Sequence, residues 1–250
     1  MWVKRFFTGF LLVFVSFFAC AEHTLNPYAG IDIQQRNMNF EKNYGNGIFS
    51  RKLLQNNLYM GLRGNEYFGL EAGYQSSQHA SKTTMVLEGG EYLLGQRVNP
   101  VVTAPNVAPF ILTETSIRTK GPHLSAIAFF PIQDKKTEFI ASVGMTLLSV
   151  KFQYKQLADS EIGSYSLGNI VDTTRNFSST HVIPRGMFGV QQKLTDSLGL
   201  RASFVYENTR KFKQMLSKDV TEGLQLLGNH DLKASLRNSV TYGLGVFMNF

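Results

Sequence analysis

The stretch Val240–Phe250 constrains the fold of this chain more than any other part of the sequence. Reading back from its end in steps of two gives an apolar or aromatic set: Phe250, Met248, Val246, Leu244, Tyr242 and Val240. The residues between them are mostly small or polar. A period of two is the repeat of a β-strand with one apolar face. A strand that faces lipid outward and a lumen inward has this pattern.

The N-terminal segment has the order of a secretory signal peptide. Two basic residues at 4–5 precede an apolar run over 6–18, and an A-x-A cleavage signal ends at Ala21. We therefore predict that residues 1–21 are removed by cleavage near Ala21 and that residues 22–250 form one domain. An N-terminal anchor helix is an alternative, but the run is short for a span, which needs about 20 residues.

Cysteine and charge narrow the chemistry of the mature chain. Lipid attachment at Cys20 is a second alternative to cleavage, although Phe17 and Phe18 stand where such sites usually have Leu and a small residue. If Cys20 leaves with the signal peptide, disulfides and cysteine-ligated metals are excluded. The formal charge of +7 falls by two with the signal peptide. This modest excess predicts no nucleic-acid partner. It suits anionic lipid headgroups or lipopolysaccharide, although a solvated basic face is the simpler explanation.

Alternating segments recur along the rest of the chain. After residue 21 no stretch approaches 18 apolar residues, so no further membrane helix is predicted. The alternation instead predicts eight strands, at residues 29–36, 58–63, 68–74, 124–130, 137–154, 182–194, 198–206 and 240–250.

Short and long connections alternate between these strands. Three are tight turns, and four are long, at residues 41–56, 76–121, 156–180 and 208–236. This asymmetry predicts an all-β fold: an eight-stranded antiparallel transmembrane β-barrel with short periplasmic turns and long external loops. Its first and last strands must pair, because an unpaired amide in hydrocarbon is costly. The strand count stays open, because the second long connection could hide a hairpin at 85–94 or 107–117.

Several motifs resemble a known family. They are Asn26-Pro-Tyr-Ala-Gly-Ile-Asp32, Gly69-Leu-Glu-Ala-Gly-Tyr74, Arg185-Gly-Met-Phe-Gly189 and Leu198-Gly-Leu-Arg-Ala202. Together they resemble the small outer-membrane β-barrel proteins, a family similar to the membrane domain of OmpA and to OmpX. The resemblance implies a monomer in the outer membrane of a Gram-negative bacterium. It also implies that Tyr242, Leu244, Val246, Met248 and Phe250 form the C-terminal signal read by the barrel assembly machinery.

The face opposite the apolar one carries both signs of charge. We expect seven charged side chains to point into the lumen: Asp32, Arg36, Arg63, Glu71, Arg185, Arg201 and Glu207. Opposite charges in a narrow lumen should pair, because an unpaired buried charge is costly. Two interpretations remain, a gated polar pore and a structural salt-bridge plug that fixes the strand register.

Catalytic and metal-binding patterns are weak. His123-Leu-Ser125 places a base and a hydroxyl on one strand face, as in an outer-membrane lipid A deacylase barrel. The flanking residues do not resemble that motif, and strand polarity predicts His123 near the external rim, away from Glu138. Glu114 or Glu207 would have to supply the acid. We predict no enzyme, no catalytic residue and no cofactor.

The remaining histidines do not form a metal-binding pattern. They are scattered at His23, His79, His181 and His230, without the spacing of metal ligands. No glycine-rich segment resembles a phosphate-binding loop between a strand and a helix. We therefore predict no metal site.

Two of the long connections are candidate surfaces for a host or surface ligand. Residues 208–236 begin with several basic residues, and apolar residues follow near helical spacing. Two interpretations remain, an amphipathic helix on the outer surface and a helix or hairpin that covers the barrel mouth. Residues 76–121 are long for a connection without structure.

The chain is thus predicted to be a non-enzymatic surface barrel that supports envelope integrity. Alternatives are a narrow channel for small solutes, a lipid A-modifying enzyme and a periplasmic β protein.

Overall fold

Alternation of apolar and polar residues builds the strands of this protein. The computed structural model describes residues 25–41, 49–86, 92–93, 96–97, 111–132, 136–157, 174–216 and 232–250. The strands in these residues are β1 (Asn26–Phe40), β2 (Lys52–Arg63), β3 (Phe68–Ser77), β4 (Ala80–Val86), β5 (Tyr92–Leu93), β6 (Gln96–Arg97), β7 (Ile111–Pro131), β8 (Thr137–Leu157), β9 (Thr174–Lys193), β10 (Leu198–Glu207), β11 (Lys213–Leu216) and β12 (Leu232–Asn249). The predicted signal peptide lies outside the described residues.

Eight of the strands close into an antiparallel barrel. Their order is β1-β2-β3-β7-β8-β9-β10-β12, and β12 returns to pair with β1. The closing register sets Tyr28 opposite Asn249 and Asn37 opposite Val240, and it shifts between Asn39 and Phe40. Closure leaves the barrel without a free sheet edge. The predicted eight-stranded antiparallel β-barrel is therefore confirmed.

The two ends of the barrel differ. The connections β2–β3, β7–β8 and β9–β10 are short and lie at one end. The last residue lies there too, since the amide of Phe250 donates to the carbonyl of Pro27 at 3.0 Å. We call this the turn end and the opposite end the loop end.

An apolar band surrounds the outside of the barrel. On β8 the outward side chains of Phe139, Val143 and Leu147 are all exposed, Val143 at 72%. These positions span about 26 Å along the strand at about 3.3 Å per residue. Because strands in such barrels tilt by roughly 40°, this length corresponds to a height of about 20 Å, most of the apolar band of about 25 Å on outer-membrane barrels.

In the second long connection, predicted at 76–121 with a hidden hairpin left open, most of the described residues form strands. β3 ends at Ser77, and β4 then takes its place beside the loop-end half of β7. β7 begins at Ile111 rather than near 124, and β9 begins at Thr174 rather than near 182. These extensions are rich in Thr, Ser and charged residues on both faces, so they lack the apolar alternation that marked the other strands.

The predicted amphipathic helix at 208–236 is wrong where the chain is described. Residues 213–216 form β11, which pairs with β12 from Lys213 opposite Ser235 to Leu216 opposite Leu232. β11 continues β10 along the same partner strand, so backbone pairing with β12 determines its conformation. The hairpin alternative is correct for these residues, and residues 217–231 lie outside the described part of the chain.

Helices contribute no membrane span in the part of the chain that the structure describes. None there has both the length and the apolar character that a crossing would require.

Candidate functional site in the barrel interior

Charged side chains in the interior lie beneath a layer of apolar ones. Eleven buried residues fill the loop end of the bore and are called the loop-end cluster: Met38, Phe40, Phe49, Leu53, Ile117, Leu148, Val150, Phe152, Ile183, Phe212 and Leu236. Several stand two positions beyond a polar inward residue on the same strand. Met38 follows Arg36, and Ile183 precedes Arg185. The polar residues therefore lie directly below the cluster.

Two members of the loop-end cluster come from connections rather than from strands. Phe49 precedes β2 and is 1% exposed, and its ring lies 5.1 Å from that of Phe152 and 5.9 Å from that of Phe40. Phe212 lies between β10 and β11, and its carbonyl accepts from the amide of Leu236 at 3.0 Å. Phe49 and Phe212 thus add aromatic rings to the cluster at the mouth of the barrel.

A second apolar group, the turn-end cluster, fills the other half of the bore. Its buried members are Tyr28, Tyr59, Ile127, Phe129, Ile140, Met187, Val205 and Phe247. Tyr28 makes edge-to-face contacts with Tyr59 and Phe129, at centroid distances of 6.4 and 6.2 Å. Gly61 gives the Tyr28 ring its space, because a Cβ on Gly61 would overlap that ring.

Glu207 is the centre of the larger charged cluster. Its carboxylate accepts from Arg36 and, at 3.3 Å, from Arg185 Nη1. Thr146 Oγ1 and Gln75 Nε2 donate to Oε1 at 2.7 and 3.2 Å. All five side chains are buried. A carboxylate surrounded by donors in a water-poor interior holds the strands that contribute them in one register.

The second charged pair lies within the turn-end cluster. Arg201 Nη1 and Nη2 donate to the Glu71 carboxylate at 2.6 and 3.2 Å, which is a bidentate pair. The guanidinium carbon also lies 4.3 Å from the centroid of the Tyr59 ring, and the Tyr28 hydroxyl donates to Glu71 at 3.3 Å. Strands β10, β3, β2 and β1 are thereby joined across the bore.

Asp32 is held by amides rather than by a cation. Gln34 Nε2 and Asn57 Nδ2 each donate to its Oδ2 at 3.2 Å. Asn57 Oδ1 in turn lies 2.9 Å from His123 Nε2. With Asp32 counted, three carboxylates (Asp32, Glu71 and Glu207) balance three guanidinium groups (Arg36, Arg185 and Arg201) in the middle of the bore.

Arg63 forms a separate group at the turn end. It donates to Glu138 at 3.0 and 3.1 Å and stacks 4.2 Å from the Phe129 ring centroid. Lys193 Nζ lies 3.7 Å from the same carboxylate. The group is partly exposed, so its ion pairs contribute less stability than those deeper in the bore.

All seven charged residues that the sequence placed in the lumen lie on the inner wall. The structure divides six of them into three groups, around Glu207, around the Arg201–Glu71 pair and around Arg63. Asp32 stands apart from the direct ion pairs. Sequence reasoning missed Glu138, Gln75 and Asn57, although each occupies an inward position by the same alternation.

His123 and Ser125 do not lie where strand polarity predicted. His123 is buried inside the barrel beside Asn57 rather than at the external rim. Within the described residues, neither His123 Nδ1 nor Ser125 Oγ has a hydrogen-bond partner, so the base and the hydroxyl are not joined. The expectation failed because β7 extends well beyond these residues. The described residues hold no group of three or more side chains able to ligate a metal ion.

The terminal strand exposes its apolar set on the outer wall. Tyr242, Leu244, Val246, Met248 and Phe250 are all exposed, Phe250 at 73%. Its interior face instead places Phe247 in the turn-end cluster. The assembly role of the exposed set remains a prediction.

Comparison with known proteins finds solved structures whose folds are similar to the fold of this chain. No protein-family model matches the chain, and no curated protein matches it in sequence. OprG of Pseudomonas aeruginosa is 10% identical with a TM-score of 0.44, over 90% of this chain and 95% of that one. Ail of Yersinia pestis is 10% identical with a TM-score of 0.43, and Neisserial surface protein A is 15% identical with a TM-score of 0.42. Each of these two matches covers 90% of this chain and 97% of the other. These likenesses are to small outer-membrane barrels, and at such identities they concern the fold alone.

Proposed function

We propose that this protein is a closed, non-catalytic outer-membrane barrel that presents its loop-end sheet extensions at the surface of a Gram-negative cell. The observation that carries the proposal is the filling of the bore. Two apolar clusters enclose a charge-balanced polar layer whose groups bind one another across the barrel. A membrane location is supported by the apolar band outside a barrel without sheet edges. In this location the turn end faces the periplasm. Residues 1–21 are removed during export.

The packing favours a structural plug over a solute channel. An eight-stranded barrel has a bore that side chains nearly fill. Here the Phe49 ring stacks on Phe40 and meets Phe152 edge to face at the loop-end mouth. Arg36 and Glu207 lie beneath these rings with 0% and 1% exposure. A solute would have to displace both the aromatic layer and the ion pair. Envelope integrity and contact with a surface ligand through the loop end are the roles that remain.

Planar-bilayer recording and liposome swelling test the closed bore. The sample is purified protein that is folded, as shown by a change in its migration on a denaturing gel after boiling (heat-modifiable protein). We expect it to give neither stable conductance steps nor sugar-dependent swelling. A wide porin serves as the positive control, and the same sample boiled before reconstitution serves as the negative one. Reproducible steps abolished by boiling would establish the narrow channel instead.

The burial of Ser125 and His123 argues against a catalytic role, because a lipid substrate could not reach them. Ser125 and His123 are 1% and 3% exposed and face the bore, whereas acyl chains of lipid lie outside the barrel. We therefore propose that the protein does not deacylate lipid A. Incubation of the purified barrel with lipid A should release no fatty acid, and release that Ser125→Ala abolishes would contradict this.

Assembly and interaction partners follow from the same proposal. The barrel assembly machinery would insert a monomer, and lipid of the outer leaflet would surround the loop end. N-terminal sequencing of protein extracted from the outer membrane should start close to Glu22, and a start at Met1 would contradict the cleavage.

A further inference from the structure

The outer face of β7 and β8 carries three cations just beyond the apolar band. Arg118 stands opposite Lys151 in the strand register, and Lys120, two positions nearer the band, stands opposite Ser149. Lys120 and Lys151 are exposed, and Arg118 is partly exposed. We call these three residues the basic patch. Like charges directly opposite on one sheet face destabilise the strand pair, so a bound anion would stabilise this arrangement.

The described residues supply no carboxylate to the basic patch. None of the ion pairs in the described part of the chain includes Arg118, Lys120 or Lys151. Arg118 Nη1 instead lies 3.5 Å from His79 Nε2. The nearest acid along these strands is Glu114, which stands opposite Lys155 rather than opposite a patch residue.

Among the described acidic residues of these strands, Glu114 alone shares the outer face with the basic patch, and it lies four residues from Arg118. The described residues of β3, β4, β7, β8 and β9 include three acids. Glu114 is one of them, and the other two, Glu71 and Glu138, are buried in the bore. The anion that neutralises the patch must therefore come from outside these strands.

The position of the basic patch indicates an amphiphilic anion. Lys120 pairs with Ser76, two residues beyond the exposed ring of Tyr74. Leu147 is exposed within the apolar band, four residues before Lys151, which is about 13 Å along the strand. A lysine stem can cover part of that distance while its ammonium stays in water. A head group at the patch would thus leave its hydrocarbon chains directly against the band.

We propose that the basic patch binds the phosphate groups of a phosphorylated glycolipid of the lipid A type in the surrounding leaflet. The acyl chains of that lipid lie over Leu124 and Leu147. Arg118 binds phosphate through its planar fork, and the two lysines add point charges. This inference rests on the proposed outer-membrane location, which places the loop end in the external leaflet.

Native mass spectrometry of detergent-purified protein tests the proposal. The probes are a bisphosphorylated lipid A, its dephosphorylated form, an anionic glycerophospholipid and inorganic phosphate. The patch variant is Arg118→Gln/Lys120→Gln/Lys151→Gln. The matched control, Arg51→Gln/Lys52→Gln/Arg237→Gln, removes the same charge from exposed loop-end positions before or on β2 and on β12.

We expect the bisphosphorylated lipid to bind the patch variant at least tenfold more weakly than the parent, because each cation near a charged leaflet contributes to binding. The control should change by less than twofold, and the other three probes should bind weakly to every protein. Equal losses in the two variants would overturn the proposal in favour of diffuse attraction. Comparable binding of dephosphorylated lipid, glycerophospholipid or free phosphate would overturn the lipid A assignment.

Heat-modifiable migration on a denaturing gel separates this inference from the proposed function. A parent protein that migrates identically with and without boiling would contradict the barrel in the membrane, and both proposals with it. A heat-modifiable parent without lipid selectivity would contradict the basic patch alone. If the triple variant fails to fold, Lys120→Gln/Lys151→Gln changes only exposed side chains and should still weaken binding severalfold.

Discussion

Glu207 shows how much of the interior depends on one side chain. It neutralises two arginines, Arg36 and Arg185, on different strands. Replacing it with glutamine keeps the shape but leaves two guanidinium groups without a counter-ion. Breaking a buried ion pair by removing one partner costs roughly 3–5 kcal/mol. The same substitution at the exposed Asp196, as Asp196→Asn, removes an acid that lies in water.

We therefore predict that Glu207→Gln lowers the free energy of unfolding by about 3–5 kcal/mol, while Asp196→Asn changes it by less than about 0.5 kcal/mol. Urea denaturation of each protein folded into lipid vesicles measures both values. An unchanged unfolding midpoint for Glu207→Gln would mean that the ion pairs do not stabilise the barrel.

Gly61 and Gly186 offer a matched pair at the residue scale. Both lie in barrel strands, but a Cβ on Gly61 would overlap the Tyr28 ring, whereas on Gly186 the nearest atom is 4.0 Å away. Overpacking a filled core costs roughly 1–3 kcal/mol. We predict that Gly61→Ala lowers the free energy of unfolding by roughly 1–3 kcal/mol. Gly186→Ala should leave it unchanged or raise it slightly, and the same urea assay measures both. Equal effects at both positions would contradict a tightly packed turn end.

At the element scale, the sequence predicted strands well where one face meets lipid and the other meets the bore. The alternation of β10 and β12 was clear because exposed Leu200 and Leu244 flank buried Arg201 and a small residue. It failed for β4 and β11, whose short sequences show no alternation of apolar and polar residues. Backbone pairing with β7 and β12 fixes these strands. Phe49 was missed for a related reason, because a lone aromatic in a connection carries no periodicity.

The terminal strand carries a prediction of its own. The amide of Phe250 donates to Pro27, and its ring is exposed at the turn end. We predict that removing Phe250 lowers the amount of inserted barrel severalfold, while Phe130→Ala, which truncates another exposed aromatic, leaves insertion nearly unchanged. The heat-modifiable fraction in isolated membranes measures insertion. A similar loss in both variants would indicate a general need for aromatic residues rather than a terminal signal.

On the scale of the whole molecule, the barrel has two parts, one within the apolar band and one that extends beyond it at the loop end. The part within the apolar band holds the charge-balanced interior and the turn-end cluster, and the loop-end cluster lies at the outer edge of the band. Beyond it, β4, β11 and the ends of β7 and β12 continue the sheet without adding strands to the barrel. Length and polarity predicted this surface part, but its sheet structure could not be read from the sequence. A fold stabilised mainly within the band should tolerate loss of the extensions.

Two shortened chains test this division. Lys82 and Thr115 are paired in the register of β4 and β7, as are Lys213 and Ser235 in β11 and β12. Joining either pair by an Asn-Gly turn suits a two-residue hairpin and removes the extension beyond it. We predict that both chains stay heat-modifiable, with unfolding free energies within about 1 kcal/mol of the parent because the buried ion pairs remain.

Cell-surface assays of the same two chains then locate the contact surface. Since the interior is unchanged, loss of adhesion in one chain alone would assign the contact to the extension that it lacks, and envelope resistance to detergents should persist in both. Failure of either chain to insert would contradict the division itself, because it would show that the barrel needs its surface part in order to fold.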